Sequence, residues 1–547
     1  MQKICTITKK PFEVSEREAE ILARLGFEPP TICPEERHKR RLAHRNEHKI
    51  YKGTCALTGK PIITIFSPDK NIKSYSQEAW WSDDWDPRDS GRDFDFSRPF
   101  FEQFHELDSS AAHMSLMNTQ AENSEYCNIT TNNKNCYLVF GGDFCEDCMY
   151  TNFSMNCRDT FDVYWVNRSE LTYECVDAEL GYNLLYSRNS VSCSDSAFLF
   201  GCRNCKNCMF CVGLIGKEYY IWNKLCTREE YEKQVKDFNL GSRTAVQNLR
   251  EEFEKFRLNF PHRCANIINS ENCTGDIISG AKNCQNCFCI DENSEDLKDV
   301  FLAGWNAKDL YSCDHAGYGA ESFYECMGSI SAANCAFSTF AWRAPNSYYC
   351  NMVTNSHDLF GCTNMRRNEY CILNKQYSKD DYAALRARII EHMKKTGEWG
   401  EFFPAKNSLF AYNETVANDY YPLTRAEALS RGLKWFDEEV RSTENAPTVP
   451  DNIADITDEI LEKTLICQKT GRPYRILPKE LAFYRRLGIP VPIYAPETRI
   501  EMRLKLKKQP ISYPRTCAKC GAAILTSYSP LQPEVVYCNE CYLKTVY

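Results

Sequence analysis

The sequence predicts a mainly β protein with α+β ends, in which a duplicated, cysteine-rich β-solenoid with helical caps is flanked by duplicated zinc-ribbon-like modules. Three observations predict this architecture. Short apolar clusters recur at a nearly regular interval through the middle of the chain, the two ends share one order of landmarks, and paired Cys-x2-Cys motifs stand near the C-terminus. The 547 residues, of which 43% are hydrophobic, provide for several cores.

The two ends, residues 1–79 and 465–547, are predicted to be copies of one module. Each copy has a cysteine turn at Cys5 or Cys467, a helical stretch, a turn with Gly and Pro, and a Pro-Glu-x-Arg element. Each then continues through a basic segment to a second cysteine turn, at Cys55 or Cys517. The shared order and spacing indicate duplication followed by divergence.

The second copy keeps a complete set of metal ligands. The distance along the chain between its two Cys-x2-Cys pairs is typical of two knuckles around tetrahedral zinc; the predicted ligands are Cys517, Cys520, Cys538 and Cys541. The matching stretch of the first copy retains only Cys55, so we expect that ribbon to hold its shape by packing.

The first half of each module looks like the small bacterial "probable zinc-ribbon" modules, which pair two Cys-x2-Cys motifs. Ligand positions are substituted here by Thr8 and Glu36 in the first copy and by Thr470, Ala495 and Thr498 in the second. A metal-free turn is therefore expected, with the alternative that Cys5 and Cys33 share an ion with a neighbouring His or acidic group.

The middle of the chain is predicted to form two solenoid halves, residues 124–226 and 263–377. Each cluster is a short Tyr-, Phe-, Leu-, Val- and Cys-rich piece between Asn, Asp, Ser and Gly, a strand-turn rhythm that must stack on its neighbours. Leu199-Phe-Gly-Cys202 in the first half matches Leu359-Phe-Gly-Cys362 in the second. Helical caps are expected at 227–262 and 378–400, with a linker at 401–464.

The solenoid holds 23 of the 31 cysteines, often nine residues apart. Because buried Cys behaves as a small hydrophobe, we expect rows of inward-pointing thiols, with Tyr and Phe also directed inward. The alternative is an iron–sulfur site, since the run Cys202, Cys205, Cys208, Cys211 resembles the first ligands of a bacterial ferredoxin. The last spacing differs from that pattern, and no Pro follows.

Residues 80–123 are predicted to cap the first coil. Residues 80–108 hold three Trp, several Phe and nine acidic groups. The rings would cover the solenoid end and the Asp residues would form turns or ion pairs, although a sugar or divalent-cation site stays open as the alternative.

This combination of duplicated terminal modules around an Asn- and Cys-rich repeat resembles a family of uncharacterised bacterial proteins over nearly the whole chain. The landmarks are Trp-Trp-Ser-Asp-Asp-Trp-Asp-Pro at 80–87, Lys-Asn-Cys-Tyr at 134–137, Tyr-Asn-Glu-Thr at 412–415 and Tyr-Pro-Leu-Thr at 421–424. The resemblance implies the architecture and carries no known activity.

Basic segments at equivalent places in the two modules carry the functional hypothesis. Residues 37–52 contain seven Lys or Arg against one Glu, and residues 499–515 contain six against one. Cationic segments beside a zinc ribbon suit a phosphate backbone, and the predicted nucleic-acid-binding residues are Arg37, Lys39, Arg40, Arg41, Arg45, Lys49, Arg499, Arg503, Lys505, Lys507 and Lys508. The alternative is a solvated helix face that balances an acidic body.

The net charge of -8 argues against a uniformly basic nucleic-acid coat. No long apolar stretch or signal-like leader is present, so we expect a cytoplasmic protein with no membrane partner and reduced thiols. Motifs for common enzymes are absent. The sequence therefore predicts a zinc-ribbon scaffold that binds nucleic acid, RNA rather than DNA, because no major-groove reader is evident. The alternatives are an assembly protein that docks partners on the solenoid and a β-helix enzyme.

Overall fold

The computed structural model describes residues 1–437 and 447–546, and in them the chain is mostly β. The N-terminal module contains β1 (Gln2–Ile4), β2 (Pro11–Glu13), α1 (Glu16–Leu25), α2 (Pro34–Leu42), β3 (Tyr51–Thr54), β4 (Pro61–Thr64), β5 (Lys73–Tyr75) and α3 (Gln77–Trp81). The Ser15 side chain accepts a hydrogen bond from the Glu18 backbone and starts α1, and Gly26, at φ +80°, ends it.

Helix α4 (Phe100–Ser110) and strand β6 (Ala112–Met114) lead from this module into the solenoid. Strand β6 pairs in parallel with β5 and places His113 opposite Ser74. Phe100, Phe104 and Leu107 of α4 are buried in one core cluster with rings of the second solenoid half. In this cluster the segment 80–108 covers rings of the second half, whereas the prediction placed it over the first coil.

The first solenoid half stacks short strands in parallel, each one coil beyond its neighbour, as where Met149 lies opposite Tyr137 and Ser194 opposite Tyr182. Its strands are β7 (Asn118–Thr119), β8 (Thr130–Thr131), β9 (Tyr137–Phe140), β10 (Met149–Asn152), β11 (Tyr164–Asn167), β12 (Glu170–Tyr173), β13 (Val176–Glu179), β14 (Tyr182–Leu185), β15 (Arg188–Val191), β16 (Ser194–Phe200), β17 (Lys206–Val212), β18 (Glu218–Ile221) and β19 (Lys224–Leu225).

The backbone conformation repeats every three residues, and this repeat sets the cross-section of each coil. A left-handed backbone residue recurs at every third position through most of the solenoid, for example at Asn132, Asn135 and Leu138. Asn, Asp and Gly adopt this conformation at the lowest cost, which accounts for the abundance of Asn and Asp in the repeats. The residue after most left-handed positions is buried in the lumen, as are Cys136, Val139, Cys145 and Cys148.

Helices α5 (Arg228–Asp237) and α6 (Arg243–Arg257) follow the first half, within the segment where a helical cap was predicted. Thr227 and Glu230 form a reciprocal capping box at the start of α5. Helix α5 packs against β18, and α6 packs against β16 and β17.

The second half mixes three coil lengths that differ by one residue each, since Ile278 lies opposite Ile267, Ala333 opposite Glu321, and Lys308 opposite Glu295. Its strands are β20 (His262–Arg263), β21 (Ile267–Ile268), β22 (Gly275–Ser279), β23 (Lys282–Gln285), β24 (Cys287–Ile290), β25 (Glu295–Lys298), β26 (Phe301–Gly304), β27 (Lys308–Tyr311), β28 (Asp314–Gly317), β29 (Glu321–Tyr324), β30 (Ala333–Ala336), β31 (Thr339–Trp342), β32 (Ser347–Tyr348), β33 (Asn351–Thr354), β34 (His357–Phe360), β35 (Glu369–Ile372) and β36 (Lys375–Gln376). Helix α7 (Lys379–Thr396) packs against β35.

Two short helices, α8 (Val416–Tyr420) and α9 (Arg425–Ser430), precede the C-terminal module of β37 (Leu465–Ile466), β38 (Pro473–Tyr474), α10 (Pro478–Leu487), α11 (Pro496–Leu504), β39 (Tyr513–Thr516), β40 (Ala523–Thr526), β41 (Val536–Tyr537) and α12 (Asn539–Val546). The described residues also contain six short 3₁₀ helices: Pro68–Lys70, Pro87–Ser90, Ala405–Asn407, Tyr412–Glu414, Ile453–Asp455 and Asp458–Glu462. The C-terminal module repeats the order of the N-terminal one.

The modules dock crosswise on the two solenoid halves. Helix α1 and the residues after it, including Leu22 and Phe27, share a core cluster with Tyr324 and Phe337 of the second half. Helix α10 packs on the first half, where the ring of Phe483 stacks on that of Phe161 with centroids 3.9 Å apart. The helical part of the first module therefore covers the second half, and the helical part of the last module covers the first.

In the first half, Tyr and Phe do not fill the lumen as predicted. The first-half lumen cluster consists of Cys with Val, Leu and Ala, whereas Phe161, Tyr173, Phe198 and Phe210 belong to the cluster beneath the C-terminal module and α6. Its lumen holds small side chains, and its large rings lie on outer faces that other elements cover. In the second half, one ring, that of Phe323, is buried in the lumen cluster. The prediction of inward-pointing thiols is confirmed for most solenoid cysteines, which are buried.

None of the helices in the described ranges is long and apolar enough to cross a membrane.

Candidate functional site

The four predicted metal ligands converge in the C-terminal module. Cys517 and Cys520 lie in the turn between β39 and β40, and Cys538 and Cys541 lie at the start of α12. Their Sγ atoms all lie within 4.8 Å of one another, and Cys520 Sγ is 3.9 Å from Cys538 Sγ. This cluster can hold a metal ion, and it is the one such group of three or more His, Cys, Asp or Glu among the described residues.

The backbone of the turn supports a thiolate at the centre of the cluster. Cys538 N–H donates to Cys517 Sγ over 3.2 Å. Burial opposes ionisation of Cys517, but backbone N–H groups of Cys538, Cys520 and Lys519 outweigh it and lower its pKa to about 6. Cys517 is buried and Cys520 is exposed, so the cluster lies at the surface of the module.

The corresponding turn of the N-terminal module keeps its geometry although it has only one of the four cysteines. Cys55 is buried, and Thr58, Ser76 and Ala79 occupy the places of the other three cysteines. Ser76 N–H donates to Cys55 Sγ over 3.4 Å, and the Ser76 hydroxyl is 4.0 Å from that sulfur. Hydrogen bonds therefore stabilise a turn of the same shape.

The two half-sites show the same replacement of thiols by hydroxyls. Thr8 Oγ1 lies 3.8 Å from Cys33 Sγ, and Thr498 Oγ1 lies 3.3 Å from Cys467 Sγ. Cys33 N–H donates to Cys5 Sγ over 3.3 Å. Neither half-site belongs to a group of three or more His, Cys, Asp or Glu residues that could hold a metal ion in the described part of the chain.

The run Cys202, Cys205, Cys208 and Cys211 occupies four consecutive lumen positions. All four are buried, and each thiol donates to the backbone carbonyl nine residues further on, as where Cys202 Sγ lies 3.4 Å from the Cys211 oxygen. Within the described residues, these sulfurs do not form a group that could hold a metal ion, whereas the four sulfurs of the C-terminal cluster do. Their contacts are those of packed, hydrogen-bonded thiols.

Six of the eleven cations predicted to bind nucleic acid are buried where a module meets the solenoid: Arg37, Arg41, Arg45, Arg499, Arg503 and Lys507. Arg41 Nε lies 2.6 Å from Asp314, Arg503 Nη1 lies 2.5 Å from Asp162, and Lys507 Nζ lies 2.9 Å from Asp177. Burial opposes the charge of Arg41, but Asp314 and Glu325 outweigh it and raise its pKa. These side chains hold the modules in place and are not accessible to a phosphate backbone in the folded chain.

The other five cations retain some exposure. Lys39 pairs with Glu35 and Glu36, Arg40 pairs with Glu401, and Lys508 pairs with Asp276. The remaining two are less constrained: Lys49 Nζ lies 3.6 Å from Glu501, and Lys505 is exposed and makes no ion pair in the described part of the chain.

Lys49 and Lys505 meet in one cleft of about 640 Å³, which we call the inter-module cleft. The first module contributes Lys49 and Tyr51, the second contributes Lys505 and Tyr513, and the connecting segment contributes Trp435 and Phe436. The rings of Tyr51 and Phe436 meet edge to face with centroids 5.5 Å apart. The structure thus brings parts of both predicted basic segments together at one place.

Acidic groups partly offset the positive charge of the cleft. Its lining has five Lys or Arg and three carboxyl groups, at Glu414, Asp419 and Glu501. Glu414 pairs with Lys70 and accepts a hydrogen bond from the Tyr51 hydroxyl. Burial raises the pKa of Asp419 well above its usual range, which favours its neutral form.

The aromatic part of the cleft was missed from the sequence, where residues 401–464 were interpreted as a linker. The Tyr-Asn-Glu-Thr and Tyr-Pro-Leu-Thr sequences at 412–415 and 421–424 lie in this segment and were its available signal. Tyr412 and Tyr420 are buried in a core cluster that also contains residues of both solenoid halves, so the segment is packed structure as far as it is described.

No family model, curated protein or solved structure matches this chain.

Proposed function

We propose that the protein is a zinc-containing scaffold that binds single-stranded nucleic acid, RNA in preference to DNA, in the inter-module cleft. The observation that carries the proposal is the convergence of Lys49 and Lys505 from the two modules beside the aromatic side chains of Trp435 and Phe436.

Zinc is the ion we propose for the four-cysteine cluster. Four thiolates in two Cys-x2-Cys turns suit a closed tetrahedral zinc site, which stabilises a small module and leaves no open position for a substrate. The role is structural: the ion would fix the β39–β40 turn and the start of α12, and with them one wall of the cleft.

The chemistry of the cleft favours a single strand over a duplex. Unstacked bases can stack on aromatic side chains while lysines contact the backbone, and this recognition tolerates many sequences. The cleft volume of about 640 Å³ fits one or two nucleotides and is too small for a double helix. RNA is preferred because proteins recognise RNA mostly through single-stranded loops and ends.

Fluorescence anisotropy with a short labelled RNA at low ionic strength tests the proposal. The double variant Lys49→Ala, Lys505→Ala should bind more weakly and flatten the salt dependence, since each lost contact to a single strand lowers the slope by about 0.7. Trp435→Ala should also weaken binding, by about 1–3 kcal/mol if it stacks one base.

The matched control is Lys395→Ala, which removes an exposed lysine of α7 outside the cleft. It should leave the binding curve unchanged. Absence of binding by the wild-type chain to single-stranded RNA or DNA at low salt would contradict the proposal and would favour the scaffold that docks proteins instead.

A further inference from the structure

A second cavity lies where the C-terminal module meets the first solenoid half, and the proposed function does not use it. Its volume is about 60 Å³, and its lining includes Arg203, His262, Arg263, Lys508, Tyr528 and Tyr542; we call it the basic cavity. No Asp or Glu lines it within the described residues.

Two guanidinium groups of the lining have no carboxylate partner in residues 1–437 and 447–546. Arg263 donates from Nε to Asn539 Oδ1 over 2.8 Å and from Nη2 to the Ile267 carbonyl over 3.1 Å, and both acceptors are neutral. Burial, and then the charge of Arg203, lowers the pKa of Arg263. Lys508, by contrast, is balanced by Asp276, 2.8 Å away. The uncompensated charge of the cavity therefore lies on Arg203 and Arg263.

His262 adds a buried polar atom without a partner. Its side chain lines the cavity, the residue is 2% exposed, and its Nδ1 lies 3.3 Å from the Tyr528 hydroxyl. Its Nε2 has no hydrogen-bond partner in the described part of the chain. A buried, unsatisfied ring nitrogen is costly, so its presence beside two unpaired cations points to a missing acceptor-rich group.

The equivalent histidine of the first module, His113, has no unpaired ring nitrogen. The duplicated fold therefore does not by itself explain why Nε2 of His262 is unpaired. His113 lies opposite Ser74 of β5 just as His262 lies opposite Val536 of β41. Both ring nitrogens of His113 have partners, since Nε2 is 2.6 Å from the Asp108 carbonyl and Nδ1 is 3.1 Å from Asn364 Nδ2.

The charged lining also differs between the two copies. Asn46 stands where the second module has Lys508, and the carboxyl group of Asp108 lines the first copy's cavity. The cationic character is therefore specific to the second copy.

We propose that the basic cavity binds a phosphate group. About 10–15 Å³ of such space accommodates one water, so about 60 Å³ suits the five heavy atoms of a phosphate ion. Guanidinium groups match the geometry of phosphate oxygens and form strong charge-assisted hydrogen bonds with them. Free phosphate and a phosphate monoester share this chemistry, and the experiment distinguishes the two sources.

Titration calorimetry of the full chain with inorganic phosphate tests the proposal. Saturable binding is expected in the wild type, and Arg203→Gln and Arg263→Gln should each weaken it at least about tenfold, because each removes a charge-assisted contact. Arg158→Gln, at an exposed arginine of the same solenoid half outside the cavity, should bind as the wild type does. Thermal melting of each variant checks that it is folded.

Two further binding measurements identify the source of the phosphate and distinguish this site from the inter-module cleft. Binding of a nucleoside monophosphate that the same two substitutions weaken, without binding of free phosphate, would assign the site to a phosphate carried on a larger molecule. Lys49→Ala with Lys505→Ala should leave phosphate binding intact, whatever the outcome for RNA. Absence of both forms of binding in the wild type, or equal affinity in folded Arg203→Gln and Arg263→Gln, would overturn the proposal.

Discussion

The buried histidine His48 links the stability of the fold to pH. The residue is 8% exposed, and burial together with the charge of Lys49 lowers the pKa of its imidazole to about 3. Asp419 lies 3.6 Å from His48 Nε2, but burial raises the pKa of that carboxyl group and favours its neutral form. His48 is therefore neutral in the native state near neutral pH, whereas a histidine in an unfolded chain has a pKa of about 6.5.

We expect stability to decline as the pH falls below about 6.5, because the unfolded chain then takes up a proton that native His48 rejects. The loss continues until the pH reaches the folded-state pKa of about 3. Melting temperatures of the wild type and His48→Gln, compared between about pH 7 and about pH 4, should show a shallower decline for the variant. His357→Gln, at a partly exposed imidazole, serves as the control. Identical slopes for the wild type and His48→Gln would contradict the assignment.

The lumen of the solenoid constrains the size and the hydrogen bonding of the side chains that it holds. Cys175 is 0% exposed, and its Sγ lies 3.4 Å from the Tyr173 carbonyl and 3.3 Å from that of Leu184. Ser187 and Ser190 are equally buried at lumen positions of the same half and also donate to backbone carbonyls. A small donor is therefore suited to this space.

Cys175→Ser should change the melting temperature little, because the hydroxyl can make the same hydrogen bonds. Cys175→Leu should destabilise the fold by about 1–3 kcal/mol, since a larger side chain must displace its neighbours in a close-packed lumen. Thermal unfolding followed by circular dichroism measures both variants. Equal stability of the two would show that the lumen has spare volume.

The environment of the basic residues could not be predicted from their sequence. Lys and Arg clusters are usually solvated, but Arg37, Arg41, Arg499 and Arg503 are buried because carboxylates far away in the sequence reach them across the solenoid surface. The cysteine ligands were predictable because their spacing is local. The available signal for the ion-pair network was a glutamate at the same place in both modules, Glu18 in the first and Glu480 in the second, each of which pairs with a buried arginine.

At the scale of elements, local rules predicted the helices well and the coil geometry only in part. Ser, Thr and Gly at helix ends mark α5 and α7. The recurrence of apolar clusters predicted the stacking, but not the left-handed residue at every third position. That rhythm was present in the cysteine spacings, such as those between Cys136, Cys145 and Cys148, which are all multiples of three.

The four-cysteine cluster links the end of the C-terminal module to the second solenoid half. Strand β41, which leads into the cysteine pair of α12, pairs in parallel with β20 at the entrance to the second solenoid half. Loss of the metal should therefore loosen that pairing as well as the terminal turn.

Purified protein should contain about one zinc per chain, measured by elemental analysis, and Cys541→Ser should lose it. Hydrogen exchange should then rise in β41, β20 and α12, because a structural zinc supplies much of the stability of a small module. Cys55→Ser, in the turn without a complete ligand set, should keep the zinc. Two or more equivalents that survive Cys541→Ser would show that other cysteines bind metal.

At the scale of the whole molecule, crosswise docking joins regions that are distant in the sequence. The buried carboxylate of Asp162 forms ion pairs with two arginines of the last module, Arg499 at 2.7 Å and Arg503 at 2.5 Å. Asp314 receives Arg41 of the first module in the other half. Each module therefore has its own electrostatic anchor on the solenoid half that it covers.

Asp162→Asn should detach the C-terminal module from the first half, because it leaves two buried arginines without their shared carboxylate. Removing one partner of a buried pair costs about 3–5 kcal/mol, whereas an exposed pair contributes about 0–1 kcal/mol. Asp159→Asn is the matched control, since Asp159 lies on the same coil surface and pairs with Arg486, which is half exposed. Hydrogen–deuterium exchange should increase in α10 and α11 for Asp162→Asn alone.

The same exchange experiment also tests whether each module has an anchor of its own. Asp162→Asn should leave exchange in α1 and α2 unchanged, because these helices lie on the other half and are held by Asp314. Asp314→Asn should give the reverse pattern, with increased exchange in α1 and α2 and little change in α10 and α11. If either substitution loosened both modules equally, the two anchors would not act independently, and the modules would instead be coupled through the contacts along the inter-module cleft.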